Sequence, residues 1–255
     1  MRTLAVIPAR LGATRLPRKP LRLLAGQPLI IRVWEHVSAM EVVDKIVIAT
    51  DSGEIAEAVA GAGATVVLTR TDHPSGTDRI AEVVFKSAPE YRDFDVIVNV
   101  QGDEPFLPPE ALRGARDMVA QHGFELGTAA VRADESVLND PNVVKVVCGD
   151  DGRALYFSRA GIPYLRQPTD SATRASLVRQ HLGVYAYTPA ALGRWISLTP
   201  HALELSERLE QLRPLAAGIS MGVALIDTRA PIAVDTEDDL MRANAHWETR
   251  FATRS

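Results

Sequence analysis

The sequence has little cysteine, little lysine and no long hydrophobic run. One cysteine, Cys148, stands among 255 residues, so an internal disulfide bond is excluded. The apolar stretches are too short to cross a bilayer, and no cleavable signal pattern precedes the first apolar residues, so we expect a cytoplasmic protein. Only four of the 28 basic residues are lysines, which makes a lysine at a candidate site, such as Lys19, informative.

Composition narrows the class of partner. A formal net charge of −4 argues against a general nucleic-acid or membrane surface, so we expect neither partner, although a local basic loop can attract a small anion. Hydrophobic residues form 46% of the chain, enough for one large α/β domain or for a domain with a subdomain. Cys148 lies in an alternating apolar stretch and is predicted to be a buried strand residue.

A basic loop follows the first predicted strand directly. Residues 4–7 are typical of a fully buried strand, and Pro8 is predicted to end its hydrogen-bonding ladder because proline has no amide proton. In open α/β sheets, ligands bind at the carboxyl ends of the strands. We therefore predict that this loop holds phosphates, the alternative being a solvated basic loop. Its cations are Arg10, Arg15, Arg18 and Lys19.

Strand and helix patterns alternate through the first half of the chain. Strands are predicted at 4–7, 46–49, 65–68 and 96–100, and helices at 29–40, 54–60, 80–86 and 108–121. Asp51 and Ser52 are candidate caps of the second helix. The alternation predicts a Rossmann-like α/β fold, in which a mostly parallel sheet is flanked by helices.

Short strands dominate after about residue 127. Strands are predicted at 127–131, 143–148, 154–157, 181–187 and 221–226, and helices at 189–196, 205–212 and 236–250. We interpret the chain as one domain, 1–255, with an inserted small sheet region at about 127–215. The polar segment 166–175 is predicted to be a mobile loop.

Two carboxylates are candidate metal ligands. Asp103 follows the strand at 96–100, which brings it to the same sheet edge as Lys19. Mg²⁺ is commonly held by one or two carboxylates together with substrate phosphates and waters, and Asp235 is the second candidate. The alternatives are an ordinary turn at Asp103 and a helix cap at Asp235 or Thr236.

The segment 73–79 offers hydroxyls, backbone amides and the Arg79 guanidinium after the third strand. It either contacts a nucleotide base or caps the following helix, with Thr77 as the capping residue. Gly61 and Gly63 imitate half of a dinucleotide-binding fingerprint. They follow a helix and precede a strand, however, which is the reverse of the required order.

Together, these motifs resemble the 3-deoxy-manno-octulosonate cytidylyltransferase family, whose members are also called CMP-Kdo synthetases. The resemblance covers nearly the whole chain in the right order. It rests on residues 7–10, 14–17, 19–21, 49–51, 73–79, 99–105, 141–147, 154–159, 181–183, 209–213 and 234–236. The related sialic acid activators have a different loop at 14–17.

The resemblance implies that CTP reacts with an acidic eight-carbon sugar, 3-deoxy-manno-octulosonate (Kdo), to give CMP-Kdo and pyrophosphate for surface polysaccharide synthesis. Two Mg²⁺ ions are the implied cofactors, one polarising the attacking hydroxyl and one steadying the departing pyrophosphate. The implied catalytic residues are Lys19, Arg10, Arg15 and Asp103. The implied CTP-binding residues are Ala9, Arg10, Arg15, Lys19, Ser75, Arg79 and Gln101, and the implied metal ligands are Asp103 and Asp235.

For the sugar, the resemblance implies Arg159, His181, Tyr185, Glu210 and Gln211. A guanidinium pairs with a carboxylate, and the other side chains offer hydrogen bonds to a polyol. Apart from the resemblance, His181 on an apolar strand is typical of a structural histidine, and Glu210 of a solvated helix face. The family also implies a homodimer.

The sequence departs from the family's pattern at two places. Arg18 stands where the family's phosphate loop has glycine, and residues 226–233 lack the family's glycine-containing approach to Asp235. Alternative functions are therefore a cytidylyltransferase for a different or amino-substituted ulosonic acid, a non-catalytic nucleotide-binding protein, and a metal-dependent glycosyltransferase of similar architecture.

Overall fold

The chain folds as two units in a computed structural model that describes residues 1–12, 15–166 and 176–251. The first unit comprises residues 2–109 and the chain from 231 onward, and the second comprises residues 110–230 together with Met1. The segment 166–175, predicted to be a mobile loop, lies outside the described residues from 167 onward. No helix within the described ranges is both long and apolar enough to cross a membrane.

The strands and helices of the described residues are numbered in chain order. The strands are Thr3–Ala9 (β1), Leu23–Leu24 (β2), Gln27–Pro28 (β3), Lys45–Thr50 (β4), Val66–Leu68 (β5), Val96–Asn99 (β6), Leu126–Arg132 (β7), Lys145–Cys148 (β8), Ala154–Ser158 (β9), Arg179–Tyr187 (β10) and Met221–Ile226 (β11). The α-helices are Leu29–Ser38 (α1), Gly53–Gly61 (α2), Gly76–Glu82 (α3), Pro109–Ala120 (α4), Pro189–Ser197 (α5), Ala202–Glu207 (α6), Leu212–Ala216 (α7) and Glu237–Phe251 (α8).

A parallel sheet forms the centre of the first unit. Its strands lie in the order β6, β1, β4, β5, and every neighbouring pair is parallel. Residues 4–7 are fully buried, as expected of a strand covered by helices on both faces. Because the strands are parallel, the loops that follow them meet at one edge of the sheet.

Pro8 does not end the first strand, so that prediction is wrong. The ladder between β1 and β4 continues through Pro8 to Ala9, which pairs with Thr50. On the other side, the pairing with β6 ends opposite Val6. The missing amide of Pro8 therefore lies beyond the last residue of β1 that pairs with β6. The pairing with β4 continues past it.

Helices begin in the first unit largely where the sequence predicts them. Ser52 caps α2 by accepting a hydrogen bond from the Ile55 amide, as predicted. The helix predicted at 80–86 starts earlier, at Gly76, and its last turn is a π-helix over Val83–Ser87. The closing helix α8 returns to the hairpin of β2 and β3, where the Asn244 side chain accepts from the Ala25 amide at 2.8 Å.

The second unit is a mixed sheet with helices packed on it. β7 pairs with β11 in parallel and with β10 in antiparallel orientation, and β8 pairs with β10 and β9, both antiparallel. Helix α4 approaches this sheet closely, because a Cβ at Gly127 would lie 2.0 Å from the Ala115 carbonyl oxygen. The predicted fold class, a mostly parallel α/β sheet flanked by helices with a further small sheet region, is confirmed.

The helix predicted at 205–212 is wrong, because two short helices stand there. α6 ends at Glu207, Arg208 takes the left-handed conformation with φ 55°, and the Leu209 amide donates to the Glu204 carbonyl. Glycine usually occupies such a helix-terminating position, so an arginine there does not indicate in the sequence that the helix ends. Leu209 and Leu212 are both buried, which is why the apolar spacing continues across the break.

Cys148 lies on a strand as predicted, but it is only partly buried. It stands at the end of β8, where the register with β9 is irregular. Burial raises the pKa of the Cys148 thiol, while a hydrogen bond with Arg179 acts in the opposite direction. The thiol is therefore protonated at neutral pH. The prediction of a buried residue is wrong, because Cys148 is partly exposed.

Candidate functional site

A cleft of about 280 Å³ opens at the carboxyl ends of β1, β5 and β6 in the first unit. Its lining residues are Pro8, Ala9, Arg10, Lys19, Pro20, His73, Ser75, Gly76, Arg79, Gln101, Gly102 and Asp103. All the residues predicted to bind CTP line the cleft except Arg15. The predicted convergence of the basic loop, the 73–79 segment and the Asp103 loop at one sheet edge is thus present in the structure.

Lys19 lies between the two predicted metal ligands. It begins a short 3₁₀ turn, and its Nζ donates to Oδ2 of Asp103 and, at 2.9 Å, to Oδ1 of Asp235. Arg15 reaches the other oxygen of Asp235 at 3.0 Å. Burial alone would lower the pKa of Lys19, but the two carboxylates raise it above its ordinary value. The ammonium is therefore charged throughout the physiological pH range.

A backbone hydrogen bond brings together the two carboxylates, which are far apart in the sequence. The Val234 amide donates to the Asp103 carbonyl at 2.9 Å, which places Asp235 beside the Asp103 loop. Gly102 lets this loop lie against β1, because a Cβ there would be 3.1 Å from the Pro8 carbonyl oxygen.

The carboxylate of Asp235 is not the cap of α8. Thr236 takes that role, since its Oγ1 accepts from the Asp239 amide. The Asp239 carboxylate in turn accepts from the amides of Asp235 and Thr236. This reciprocal arrangement satisfies the helix terminus and leaves the Asp235 side chain to Lys19 and Arg15.

The two carboxylates suit a hard divalent cation. Within the described ranges, no group of three or more His, Cys, Asp or Glu side chains could enclose a metal ion. Mg²⁺ does not require such a group, since it binds one or two carboxylates and completes its coordination with phosphate oxygens and waters. Asp103 and Asp235 already converge on one cation, the Lys19 ammonium, so they fit this donor set.

The start of α3 forms another wall of the cleft. Ser75 caps this helix, accepting from the Asp78 amide at 3.2 Å, so the suggestion that Thr77 is the cap is wrong. His73 is paired with Glu82. Burial would raise the pKa of Glu82, but hydrogen bonds from His73 and the Arg70 amide lower it.

Arg79 is a buried cation whose guanidinium is held in place by hydrogen bonds. Its guanidinium donates to Asp51 at 2.8 Å and to the Thr69 hydroxyl, and the residue is only 3% exposed. The Asp51 carboxylate therefore neutralises it within the wall of the cleft. Its contribution to a ligand is a fixed polar surface, whereas Lys19 and Arg10 bring charge to the opening.

Arg18 belongs to the predicted phosphate loop, but its side chain is turned toward helix α2. Its guanidinium pairs with Glu54 on α2, and the residue is not part of the cleft lining. Its backbone has φ 59° and ψ 29°, the left-handed conformation that glycine adopts without strain. The family's glycine at this position is thus explained by the backbone, and Arg18, unlike Arg10 and Lys19, does not line the cleft.

Among the predicted sugar residues in the second unit, Arg159 is held by backbone oxygens. Its guanidinium donates to the carbonyls of Glu207 at 2.8 Å, Pro141 at 3.0 Å and Arg208 at 3.5 Å. The Glu207 carboxylate instead accepts from the Ser158 hydroxyl at 2.6 Å and the Arg159 amide at 2.9 Å. Three carbonyls thus orient the guanidinium, and no carboxylate of the described residues is paired with it.

A buried lysine supports the same segment. Lys145 is 0% exposed, and its Nζ donates to the backbone carbonyls of Asp140, Val143 and Arg159 at 2.9, 2.7 and 2.5 Å. Burial lowers the pKa of Lys145, and the nearby carboxylates only partly offset this effect. Three carbonyls satisfy all three donors of an ammonium, which fixes the turn before β8 to the end of β9.

His181 and Tyr185 lie side by side on β10. Their ring centroids are 5.3 Å apart, and Phe157 stands edge-on to His181 at 5.0 Å. His181 Nε2 lies 2.9 Å from the Thr128 hydroxyl oxygen. Burial lowers the pKa of His181 to about 3, so its imidazole is neutral at physiological pH.

Glu210 and Gln211 stand in the connection between α6 and α7 rather than on a solvated helix face. Gln211 is buried, and Glu210 is partly buried. A two-pronged pair between Arg213 and Glu204, at 2.7 and 2.5 Å, joins the two helices across this connection. The structure thus places Glu210 and Gln211 just after Arg208, whose carbonyl Arg159 contacts.

Four supporting residues were not found from the sequence, namely Asp51 as a partner of Arg79, Thr128, Lys145 and Glu207. Lys145 carried a signal, since it is one of only four lysines and interrupts an apolar strand. The other three contacts join residues far apart in the chain, and no local pattern announces them.

Comparison with known proteins agrees with this geometry. A family model described as cytidylyltransferase matches residues 4–221. A 3-deoxy-manno-octulosonate cytidylyltransferase from Gemmatimonas aurantiaca is 58% identical over 255 residues, covering 100% of this chain and 98% of that protein. One of the same name from Rhodospirillum centenum is 44% identical, covering 98% and 95%.

A solved structure is also similar. It is described as CMP:2-keto-3-deoxy-manno-octonic acid synthetase complexed with CTP, with a TM-score of 0.88 and 33% identity over 98% of this chain and 100% of that one. These matches confirm the resemblance inferred from the motifs. The chain belongs to the 3-deoxy-manno-octulosonate cytidylyltransferase family.

Proposed function

We propose that the protein transfers CMP from CTP to 3-deoxy-manno-octulosonate and releases pyrophosphate. The observation that carries this proposal is the Lys19 ammonium lying between Asp103 and Asp235 in a cleft at the carboxyl edge of a parallel sheet. Family membership supports the choice of nucleotide and sugar. In this reaction the anomeric oxygen of the sugar bonds to the α-phosphorus, and the bond to the pyrophosphate oxygen breaks.

The triphosphate is assigned to the cations of the first unit. Arg10 and Lys19 line the cleft, and Arg15 stands beside Asp235 with a mostly exposed side chain. These cations stabilise the negative charge that accumulates on the departing pyrophosphate, which is the main requirement of this chemistry. Ala9, Ser75 and Gln101 line the same cleft, with Arg79 in its wall, and are assigned to position the nucleotide.

Magnesium dependence is part of the proposal. Asp103 and Asp235 would hold the metal, because their oxygens already converge on one cation. When bound, Mg²⁺ supplies Lewis acidity toward the phosphate oxygens. The Lys19 ammonium would then exchange its carboxylate partners for phosphate oxygens, so that its positive charge is paired with the substrate.

The sugar is assigned to the second unit. Arg159 is the proposed partner of the sugar carboxylate, because its guanidinium is oriented by carbonyls and pairs with no carboxylate of the described part of the chain. His181, Tyr185, Glu210 and Gln211 are assigned to the sugar hydroxyls. A neutral imidazole suits a hydroxyl better than it suits a carboxylate.

We also propose a cytoplasmic homodimer. Large apolar side chains of the second unit are exposed, which supports contact with a second copy: Leu155, Tyr164, Leu177, Leu203, Leu205 and Leu225. The cytoplasmic location is supported by the use of CTP as substrate. Sedimentation velocity of the purified protein tests the dimer, and a monomer at micromolar concentration would refute it.

Pyrophosphate release tests the reaction. The enzyme is incubated with each of the four nucleoside triphosphates and with Kdo, an amino-substituted ulosonic acid or a sialic acid, with and without Mg²⁺. We expect release only with CTP, Kdo and Mg²⁺ together, and a CMP-sugar by mass spectrometry. Preference for an amino sugar would change the substrate. Nucleotide binding without release would favour a non-catalytic protein, and transfer from a nucleotide sugar without pyrophosphate would favour a glycosyltransferase.

A further inference from the structure

Strand β10 is irregular opposite one buried threonine. The register between β10 and β7 shifts between Leu182 and Tyr185, and Thr128 on β7 faces this shift with 0% exposure. A bulge of this kind leaves backbone groups without their regular ladder partners. The Thr128 hydroxyl oxygen lies 2.7 Å from the Val184 carbonyl oxygen and 3.3 Å from that of Leu182. The hydroxyl is therefore placed to replace a missing ladder partner at the bulge.

Counting protons at Thr128 fixes the tautomer of His181. A hydroxyl has one proton to donate, and the Val184 carbonyl, its nearest acceptor, can only accept. The Thr128 oxygen must therefore act as acceptor toward His181 Nε2, which lies 2.9 Å away. Nε2 carries the proton, and Nδ1 of the neutral ring is left with a lone pair.

The other ring nitrogen of His181, Nδ1, has no hydrogen-bond partner within the described residues. The residue as a whole is partly exposed. Phe157 and Tyr185 flank the ring at 5.0 and 5.3 Å and restrict its rotation. The ring therefore presents a fixed acceptor nitrogen.

We propose that Thr128 is a positioning residue that holds His181 as the Nε2–H tautomer, so that Nδ1 accepts a hydrogen bond from a hydroxyl of the sugar. This inference rests on the proposed function, in which His181 contacts the sugar. A bare nitrogen lone pair attracts a hydroxyl donor and repels a carboxylate oxygen. Thr128 thereby makes His181 select for the polyol part of the substrate, and the sugar's carboxylate is left to Arg159.

Nitrogen NMR of the full-length enzyme tests the tautomer without any turnover. Histidine is labelled with ¹⁵N, and the His181 signals are identified by their loss in His181→Phe. We expect a protonated Nε2 and a bare Nδ1 in the wild type and in Thr128→Ser, which keeps the hydroxyl. Thr128→Val matches threonine in shape but lacks the acceptor, so we expect the fixed tautomer to be lost.

Steady-state kinetics provide the second readout. Thr128→Val should raise the KM for the sugar about five- to ten-fold and leave the KM for CTP within about two-fold, since one neutral hydrogen bond is affected. Thr128→Ser should restore the wild-type value. A wild-type His181 protonated on Nδ1, or a Thr128→Val enzyme with unchanged tautomer and unchanged sugar KM, would overturn the inference.

The same variants separate this inference from the proposed function. If His181→Phe leaves the sugar KM unchanged, the assignment of His181 to the sugar fails, and the proposed role of Thr128 in sugar selection falls with it. If His181→Phe raises the sugar KM while Thr128→Val changes neither the tautomer nor the KM, only the role of Thr128 fails. Thermal unfolding of each variant establishes that the measured protein is folded.

Discussion

The two units hold their cations in opposite ways. In the first unit, Lys19 is bound by the carboxylates of Asp103 and Asp235, so its charge is balanced by groups that a ligand can replace. In the second unit, Lys145 and Arg159 donate to backbone carbonyls, which neutralise nothing. The first arrangement suits a site where charge moves during a reaction. In the second, Lys145 stays in the interior, and the partly exposed Arg159 is held as a fixed cation that can receive an anion.

This contrast follows from the energetics of burial. A buried cation needs its donors satisfied, and three backbone carbonyls achieve this for Lys145. Lys19 is less deeply buried and carries two ion pairs, whose partners can be shared with phosphate and metal. Substitutions in each unit test this contrast, and we expect the largest effect at the carboxylates of the first unit.

Removing a carboxylate from the first unit should have the largest effect. Asp103→Asn keeps the shape of the side chain but loses the charge that a hard cation requires, so we expect turnover to fall roughly a hundred-fold or more. Asp235→Asn should behave alike. Pyrophosphate release at saturating CTP and Mg²⁺ measures both.

The cap residue provides the matched control. Thr236→Ala should lower the free energy of unfolding by about 1 kcal/mol and leave turnover of the folded enzyme nearly unchanged, because Thr236 and not Asp235 caps α8. A folded Asp103→Asn enzyme with normal Mg²⁺-dependent activity would remove Asp103 from the metal site.

Lys19→Arg should lower turnover by about ten-fold or more, and should lower it more than it weakens CTP binding. A planar guanidinium cannot follow charge between phosphates as a compact ammonium does. Lys86→Arg, at an exposed lysine outside the cleft, is the control and should be neutral. Equal kcat values for Lys19→Arg and the parent would contradict the idea of an exchangeable point charge.

Much of the first unit could be predicted from the sequence, because its determinants are local. Apolar runs, helix caps such as Ser52 and the order of the motifs sufficed to bring the basic loop and Asp103 to one edge. The break at Arg208 and the orientation of Arg18 could not be predicted. Both residues adopt left-handed backbone without glycine, under constraints that come from the rest of the fold.

The supporting contacts of the second unit could not be predicted from the sequence for another reason. Thr128 meets His181 only through strand pairing, and Glu207 meets Arg159 only because α6 ends near β9. Such contacts depend on register between distant segments, which composition and periodicity do not encode. The sugar residues themselves were found through family resemblance, whereas the groups that orient them required the structure.

The neutral imidazole of His181 predicts a pH effect on stability. The pKa of His181 is about 3 in the fold and ordinarily 6.5, so below pH 6.5 the unfolded chain binds a proton that the folded one does not. The free energy of unfolding should therefore fall as pH drops from 6.5, by about 1 to 2 kcal/mol from this group between pH 7 and 5.

Urea unfolding at pH 7, 6 and 5 measures this contribution. His181→Phe should lose it, showing a smaller fall than the wild type, whereas His122→Gln at an exposed histidine should keep the wild-type dependence. An identical pH dependence in His181→Phe and the wild type would mean that His181 titrates normally in the fold.

The smallest effect is expected at Arg18, where the sequence departs from the family's phosphate loop. Arg18→Gly and Arg18→Ala both lose the exposed pair with Glu54, but only glycine relieves the left-handed backbone. Arg18→Gly should therefore be more stable than Arg18→Ala by about 1 kcal/mol. Equal thermal midpoints for the two variants would indicate that the backbone at this position carries no strain.

The division of the two substrates between the units is tested most directly by titrating each substrate against Arg159→Ala. A guanidinium that binds the sugar's carboxylate serves only one substrate, so the KM for Kdo should rise about ten- to a hundred-fold while the KM for CTP stays nearly constant. Arg159→Ala also loses its hydrogen bonds to backbone carbonyls, so circular dichroism is used to check that the variant is folded. Equal weakening of CTP and Kdo in the folded variant, or an effect on CTP alone, would contradict the division.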